Sequence, residues 1–205
     1  MQTDWNENRA VLTGTVMEEP AYSHSNHLED FLRFPLSTRR LSGTPDQINV
    51  LLRRSMLDEY PLHSGDRVRV EGEVRSWNNR TGVGARLVIT LLCKALSPAG
   101  DLSDDDRVTL SGTLCRLPTY RRTPLGREIC DLLVAVNRRC GRADYLPCIA
   151  WGALARACAA MEVGTPIRLT GRLQSRTYIK RTDTGAEQRT AFEISVMALE
   201  GTVLP

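Results

Sequence analysis

The chain repeats itself. "NRAVLTGTVMEEPAY" from Asn8 matches "DRVTLSGTLCRLPTY" from Asp106, so that Arg9, Leu12, Gly14, Thr15, Pro20 and Tyr22 recur as Arg107, Leu110, Gly112, Thr113, Pro118 and Tyr120. Further on, "SGDRVRVEGEVRS" from Ser64 matches "VGTPIRLTGRLQS" from Val163. Matches in the same order at a nearly constant offset imply a duplicated domain, and this bounds the fold more than any single motif. The joint is "SPAGDLSDDD", whose Pro, Gly and Asp content is that of a linker. The expected organisation is a first repeat over 1–98, a linker over 99–106 and a second repeat over 107–205.

Each copy reads as the same series of elements. An alternating strand opens it (11–16; 108–114), and a hairpin tip follows (20–29; 118–127). A second strand returns (31–37; 129–137), then a short third one (48–52; 145–151). The helical stretch comes next, "RRSMLDEYPLHSG" in the first copy and "WGALARACAAMEVG" in the second, the latter Ala-rich and closed by Gly164. A long strand (67–77; 167–178), a hairpin and a final strand complete the copy. Gly72 and Gly171, mid-strand in both, suit a bend at a barrel corner. Five strands with one helix between the third and fourth, in about 100 residues, is the order of the OB-fold barrel. Paired Greek-key sandwiches compete, but rarely place a helix there. The expected class is therefore all-β with one short helix per repeat, built as two tandem OB-fold barrels.

Parity along the strands sorts the faces. Ile167, Leu169, Gly171 and Leu173 form an apolar inner set, which leaves Arg168, Thr170, Arg172, Gln174, Arg176 and Tyr178 outside. On the third strand Leu146, Cys148 and Ala150 point in, and Tyr145, Pro147, Ile149 and Trp151 point out. Outward aromatics among arginines suit single-stranded nucleic acid, because unpaired bases stack on aromatic rings while cations neutralise phosphates. The hairpin from Gly171 to Ser195 adds Lys180, Arg181 and Arg189, and the second strand and its tips add Arg121, Arg122, Arg127, Arg138 and Arg139. The competing account is a solvated basic surface in an arginine-rich chain (25 Arg, 2 Lys), with Trp151 capping the helix or filling a subunit interface.

Charge supports the asymmetry between copies. Residues 1–100 balance at 12 Lys/Arg and 12 Asp/Glu, whereas residues 107–205 carry 15 basic against 8 acidic side chains. A polyanionic partner fits the second half. The six cysteines include no C-x-x-C pair, and all three histidines precede residue 65, which argues against a zinc site and for small buried thiols. With no Gly-Lys phosphate loop either, neither a cofactor nor an enzyme is expected. No apolar run approaches the roughly 20 residues of a membrane span, and the polar, acidic start is unlike a signal peptide, so a cytoplasmic protein is the expectation.

The second copy also resembles a known family. "VTLSGTLCRLPTYRRTPLGREICDLLVAVNRR", "YLPCIAWGALA", "GTPIRLTGRLQSRTYIK" and "RTAFEISVMALE" are similar, in order, to bacterial single-stranded DNA-binding proteins. The resemblance covers nearly all of that copy and places the family's stacking aromatics on Tyr145, Trp151 and Tyr178. Its basic contacts fall around Arg121, Arg122, Arg138, Arg172 and Arg176. It implies sequence-independent binding of single-stranded DNA in replication, recombination or repair, and a homodimer that assembles four OB-folds.

The first copy resembles the family more faintly, and also the primosomal replication protein. Arg53 stands where Trp151 stands, and Glu71 and Glu73 replace Thr170 and Arg172. Tyr22, Arg33, Arg39, Arg69, Arg75 and Trp77 remain as contacts, so this copy is expected to be a weaker binder or an assembly partner. The sequence stops at "ALEGTVLP", without the acidic tail by which the family recruits repair and replication enzymes. Either partners are not recruited that way, or this is a specialised form with a mobile-element, phage or accessory primosome role. An RNA-binding OB module and a protein-binding OB scaffold are the functional alternatives.

Overall fold

A computed structural model of the chain describes residues 7–79, 85–182 and 185–200. It divides into two compact units, one of 1–8, 76–88 and 108–205, the other of 9–75 and 89–107.

The unit of 9–75 and 89–107 is organised by β1 (Asn8–Val16), β3 (Glu29–Arg39), β4 (Pro45–Arg53), β5 (Arg67–Asn78) and β6 (Leu87–Pro98). β1 pairs antiparallel with β3 and with β5, and β3 pairs antiparallel with β4. β4 then runs parallel to β6, which lies beside β5. The ring closes as β1-β3-β4-β6-β5-β1, with the third and fifth strands of the repeat parallel. Leu12, Phe34, Leu36, Ile48, Leu52 and Leu91 fill its interior. Asp104, in the acidic stretch, ion-pairs with Arg67 and accepts the N–H of Arg39 at 2.7 Å.

The other unit repeats this plan with β7 (Asp105–Leu114), β9 (Glu128–Asn137), β10 (Ala143–Trp151), β11 (Pro166–Thr182) and β12 (Gly185–Glu200). β7 pairs with β9 and β11, β9 with β10, and β11 with β12, all antiparallel, while β10 and β12 are parallel. Leu110, Leu114, Leu132, Leu146 and Leu169 form the core. Two closed five-stranded rings, each with a helix between its third and fourth strands, are the OB-fold order expected from the sequence.

The paired glycines are explained by close approach. A Cβ on Gly14 would lie 2.2 Å from the Ser37 carbonyl oxygen, and one on Gly72 would lie 2.1 Å from that of Leu92. Gly112 and Gly171 meet Ala135 and Ser195 in the same way, each at 2.4 Å. These are the points where one strand crosses tightly over another to close the ring, and any side chain there would collide with backbone.

Two details differ from the sequence reading. The loops expected at 20–29 and 118–127 contain short strands, β2 (Ala21–Asn26) and β8 (Thr119–Arg122), which extend β3 and β9 outward. The helices are also shorter than the helical stretches. α1 (Arg54–Glu59) stops just before Tyr60-Pro61, where proline disfavours helical backbone on its predecessor, and it buries no residue. α2 (Ala153–Ala159) buries Ala155 and Cys158 against the strands.

Candidate nucleic-acid interface

The outer faces of β11, β12, β10, β9 and β8 form one surface, and strand register fixes its layout. Arg172 is opposite Ser195, Ser195 is beside Ile149, Ile149 is opposite Asp131, and Asp131 is opposite Thr119. This row crosses all five strands. Tyr145 and Tyr178 lie to one side of it and Trp151 to the other. Tyr145 and Trp151 are six residues apart on β10, about 20 Å along an extended strand.

All three aromatics are turned to solvent, with Tyr145 49%, Trp151 38% and Tyr178 36% exposed. An aromatic ring left in water keeps apolar area whose burial under a stacked partner is favourable. Arg176 lies over the Tyr178 ring at 5.8 Å from its centroid, and Arg189 is opposite Tyr178 on β12. Ile149 is the exception to the parity reading. It is only 5% exposed, because it sits mid-sheet between β9 and β12 with strands on both sides.

The cations divide into two classes. Arg172 and Arg176 have no carboxylate partner among the described residues, and Arg127 projects from the turn before β9. The others are engaged. Arg121 donates Nε–H to Asp131 at 2.8 Å, which raises its pKa further above the ordinary arginine value. Arg122 and Arg156 both reach Glu128, and Tyr120 donates its hydroxyl to the same carboxylate at 2.7 Å. The Tyr120 hydrogen bond, followed by Arg156 and Arg122, holds the Glu128 carboxyl below the usual range. Arg189 pairs with Glu187, and Gln174 donates to Glu193 at 3.2 Å. Arg138 is bound to Asp144, a fully buried carboxylate. The backbones of Lys180 and Arg181 lie in β11, but their side chains fall outside the described residues.

Sequence reading missed this lattice of acids. Asp131 and Glu193 stand at outward positions of their strands, which was the available signal. Their neighbours across the sheet were not visible without register.

The first repeat's face is more fully neutralised. Glu71 accepts from Arg9 at 3.0 Å and Arg69 at 3.2 Å, and these bonds lower its pKa. Glu73 takes Arg75 and Lys94, Glu29 takes Arg53, and Asp30 takes Arg54. Tyr22 and Trp77 are exposed, and His24 stacks on Phe31 with ring centroids 5.0 Å apart. Among the described residues no group of three His, Cys, Asp or Glu is placed to hold a metal ion, and no helix is long and apolar enough to cross a membrane.

The chain that carries this surface has counterparts among known proteins. Residues 105–201 match the model of the single-strand binding protein family. The match spans nearly the whole of the second repeat. A single-stranded DNA-binding protein of Halalkalibacterium halodurans is 33% identical over 100 residues, 45% of this chain and 56% of the relative. Its counterpart in Deinococcus radiodurans is 26% identical over 166 residues, 69% of this chain and 54% of the relative. The chain thus spans little more than half the length of these family members. The crystal structure of the wild-type single-stranded DNA binding protein from Thermus aquaticus matches with a TM-score of 0.78 at 22% identity, over 97% of this chain and 95% of that one. At that identity the likeness is one of fold, and it extends through both repeats: the chain is all-β, with two tandem OB-folds.

Proposed function

We propose that this chain binds single-stranded DNA without regard to base sequence, in replication, recombination or repair, and performs no catalysis. The observation that carries the reading is the outward set Tyr145, Trp151 and Tyr178, flanking a row that contains the unpaired Arg172. Bases stack on the three rings, and Arg127, Arg172 and Arg176 neutralise phosphates, joined by Lys180 and Arg181 on the hairpin. Arg121 and Arg122 contribute only where phosphate displaces Asp131 and Glu128. The second repeat, 107–205, carries the binding, and the self-neutralised first repeat, 1–98, contributes little affinity. Two chains pair into a homodimer that presents four barrels.

The test is a fluorescence titration with oligo-dT of about 35 nucleotides, long enough for several OB sites at roughly 4–16 nucleotides each. Duplex DNA and a matched RNA oligomer serve as controls, with Trp151→Ala alongside wild type. Strong quenching by dT, little by duplex, and its loss in the variant support the proposal. Absence of dT binding at low salt overturns it, and preference for RNA redirects it to an RNA-binding module.

A further inference from the structure

Directly before Tyr145, β10 carries the fully buried Asp144. Arg138 donates to both of its oxygens, Nε–H to Oδ2 at 2.8 Å and Nη2–H to Oδ1. Oδ1 also accepts the backbone N–H of Ser76 at 2.6 Å. Ser76 lies in the first sequence repeat, but the segment 76–88 is grouped with 108–205 in one compact unit. Its remaining polar groups are used at the same place. Its hydroxyl oxygen accepts the backbone N–H of Tyr145 at 2.7 Å, and its carbonyl accepts Arg138 Nη2–H at 3.0 Å.

Three groups of one serine therefore bind Asp144, Tyr145 and Arg138. A guanidinium shared between a buried carboxylate and a buried carbonyl cannot turn toward a phosphate without stranding that carboxylate. Tyr145 is held by its backbone while its ring stays free, which is what a preorganised stacking platform requires.

We propose that Ser76 is a positioning residue for Tyr145, and that Arg138 is an internal strut of this clamp and not a phosphate ligand. The inference rests on the single-stranded DNA reading of the outer face.

The experiment titrates the full chain with the same dT oligomer over a salt series. Ser76→Ala is expected to weaken binding about 3- to 10-fold, the cost of one misdirected contact. The slope of log affinity against log salt stays at the wild-type value. Arg172→Ala, the phosphate control, lowers that slope by about 0.7. In a Tyr145→Ala background the Ser76→Ala effect vanishes, because the two residues act through one contact. Ser76→Thr, which keeps the hydroxyl, retains wild-type affinity. The paired variant Arg138→Gln with Asp144→Asn, which strands no charge, leaves the slope unchanged. Independent, additive effects of Ser76 and Tyr145 overturn the inference, as does wild-type binding by a Ser76→Ala chain that melts like wild type. A slope reduced in the Arg138 pair as in Arg172→Ala also overturns it. Failure of wild type to bind dT is read in the same titration and sinks the functional reading instead.

Discussion

Arg40 grips Asp46 through two parallel hydrogen bonds, Nε to Oδ2 at 2.6 Å and Nη2 to Oδ1 at 2.7 Å. Arg138 holds Asp144 in the same way at the equivalent turn of the other repeat. Both turns also close through the backbone, Arg40 N–H to Thr44 at 2.9 Å and Arg138 N–H to Arg142 at 2.7 Å. The duplication thus preserves an ion-paired turn as well as strands. Asp46 is 2% exposed while Arg40 keeps more solvent, so the two partners are not equivalent. Arg40→Ala, which takes the guanidinium away from a buried carboxylate, is expected to cost about 3 kcal/mol. Asp46→Asn, which keeps acceptor and shape, should cost about 1 kcal/mol. Urea midpoints of the two variants check this, and equal losses would contradict the asymmetry.

The strand-crossing glycines give a second expectation. Gly14→Ala and Gly72→Ala each drive a methyl into a carbonyl oxygen, and backbone cannot move aside as a side chain would. Each should lose roughly 2–3 kcal/mol in denaturant melts. Gly126→Ala, where added carbon meets open space, isolates the smaller cost of a positive φ.

The acids on the outer face should restrain DNA binding. Asp131→Asn frees Arg121, and Glu128→Gln frees Arg122 and Arg156. Each variant should bind dT more tightly, with a salt slope steeper by about 0.7 for every arginine that reaches a phosphate. Because the folded pKa of Glu128 is lowered, its ion pairs persist above the usual carboxylate range and are lost only as pH falls below it. As far as this group decides it, affinity is flat between about pH 6 and 8 and rises only on stronger acidification. A plateau-free rise through neutral pH would exclude Glu128 as the controlling group.

Thiol chemistry reports on the second core. Burial pushes Cys130 up to about 11 and Cys158 up to about 12, and raises Cys148 as well. In the unit of 9–75 and 89–107, burial pushes Cys93 up to about 12. Cys140 is exposed on the turn after β9. Near pH 8 a disulfide reagent should modify Cys140 quickly, and the four buried thiols only on unfolding, since the thiolate is the reactive form.

The fold was legible because its signals are local and doubled. Gly14, Gly72 and the inward leucines each appear twice at a nearly constant offset, and alternation alone assigned Leu169 and Tyr178 to opposite faces. The exposed rings of the candidate site followed from the same parity. What parity cannot supply is the neighbour across the sheet. Arg121 and Arg172 look alike in sequence, yet one stands beside Asp131 and the other beside Ser195. Ile149 was misplaced because a central strand buries even its outward residues. Ser76 carried no signal, since its bonds reach residues 62 to 69 positions away.

The β11–β12 hairpin outruns its barrel. Leu173 opposite Ile194 is the last fully inward pair, yet the strands stay paired as far as Thr182 and Gly185. Beyond that pair the arm has two strands and no interior, and such ribbons are only marginally ordered in water. Tyr178 and Arg176 therefore ride on a lever, whereas Trp151 sits on bedrock. On the proposed reading, a base stacked at Trp151 meets a strand of the closed ring, whereas one at Tyr178 meets the two-stranded arm.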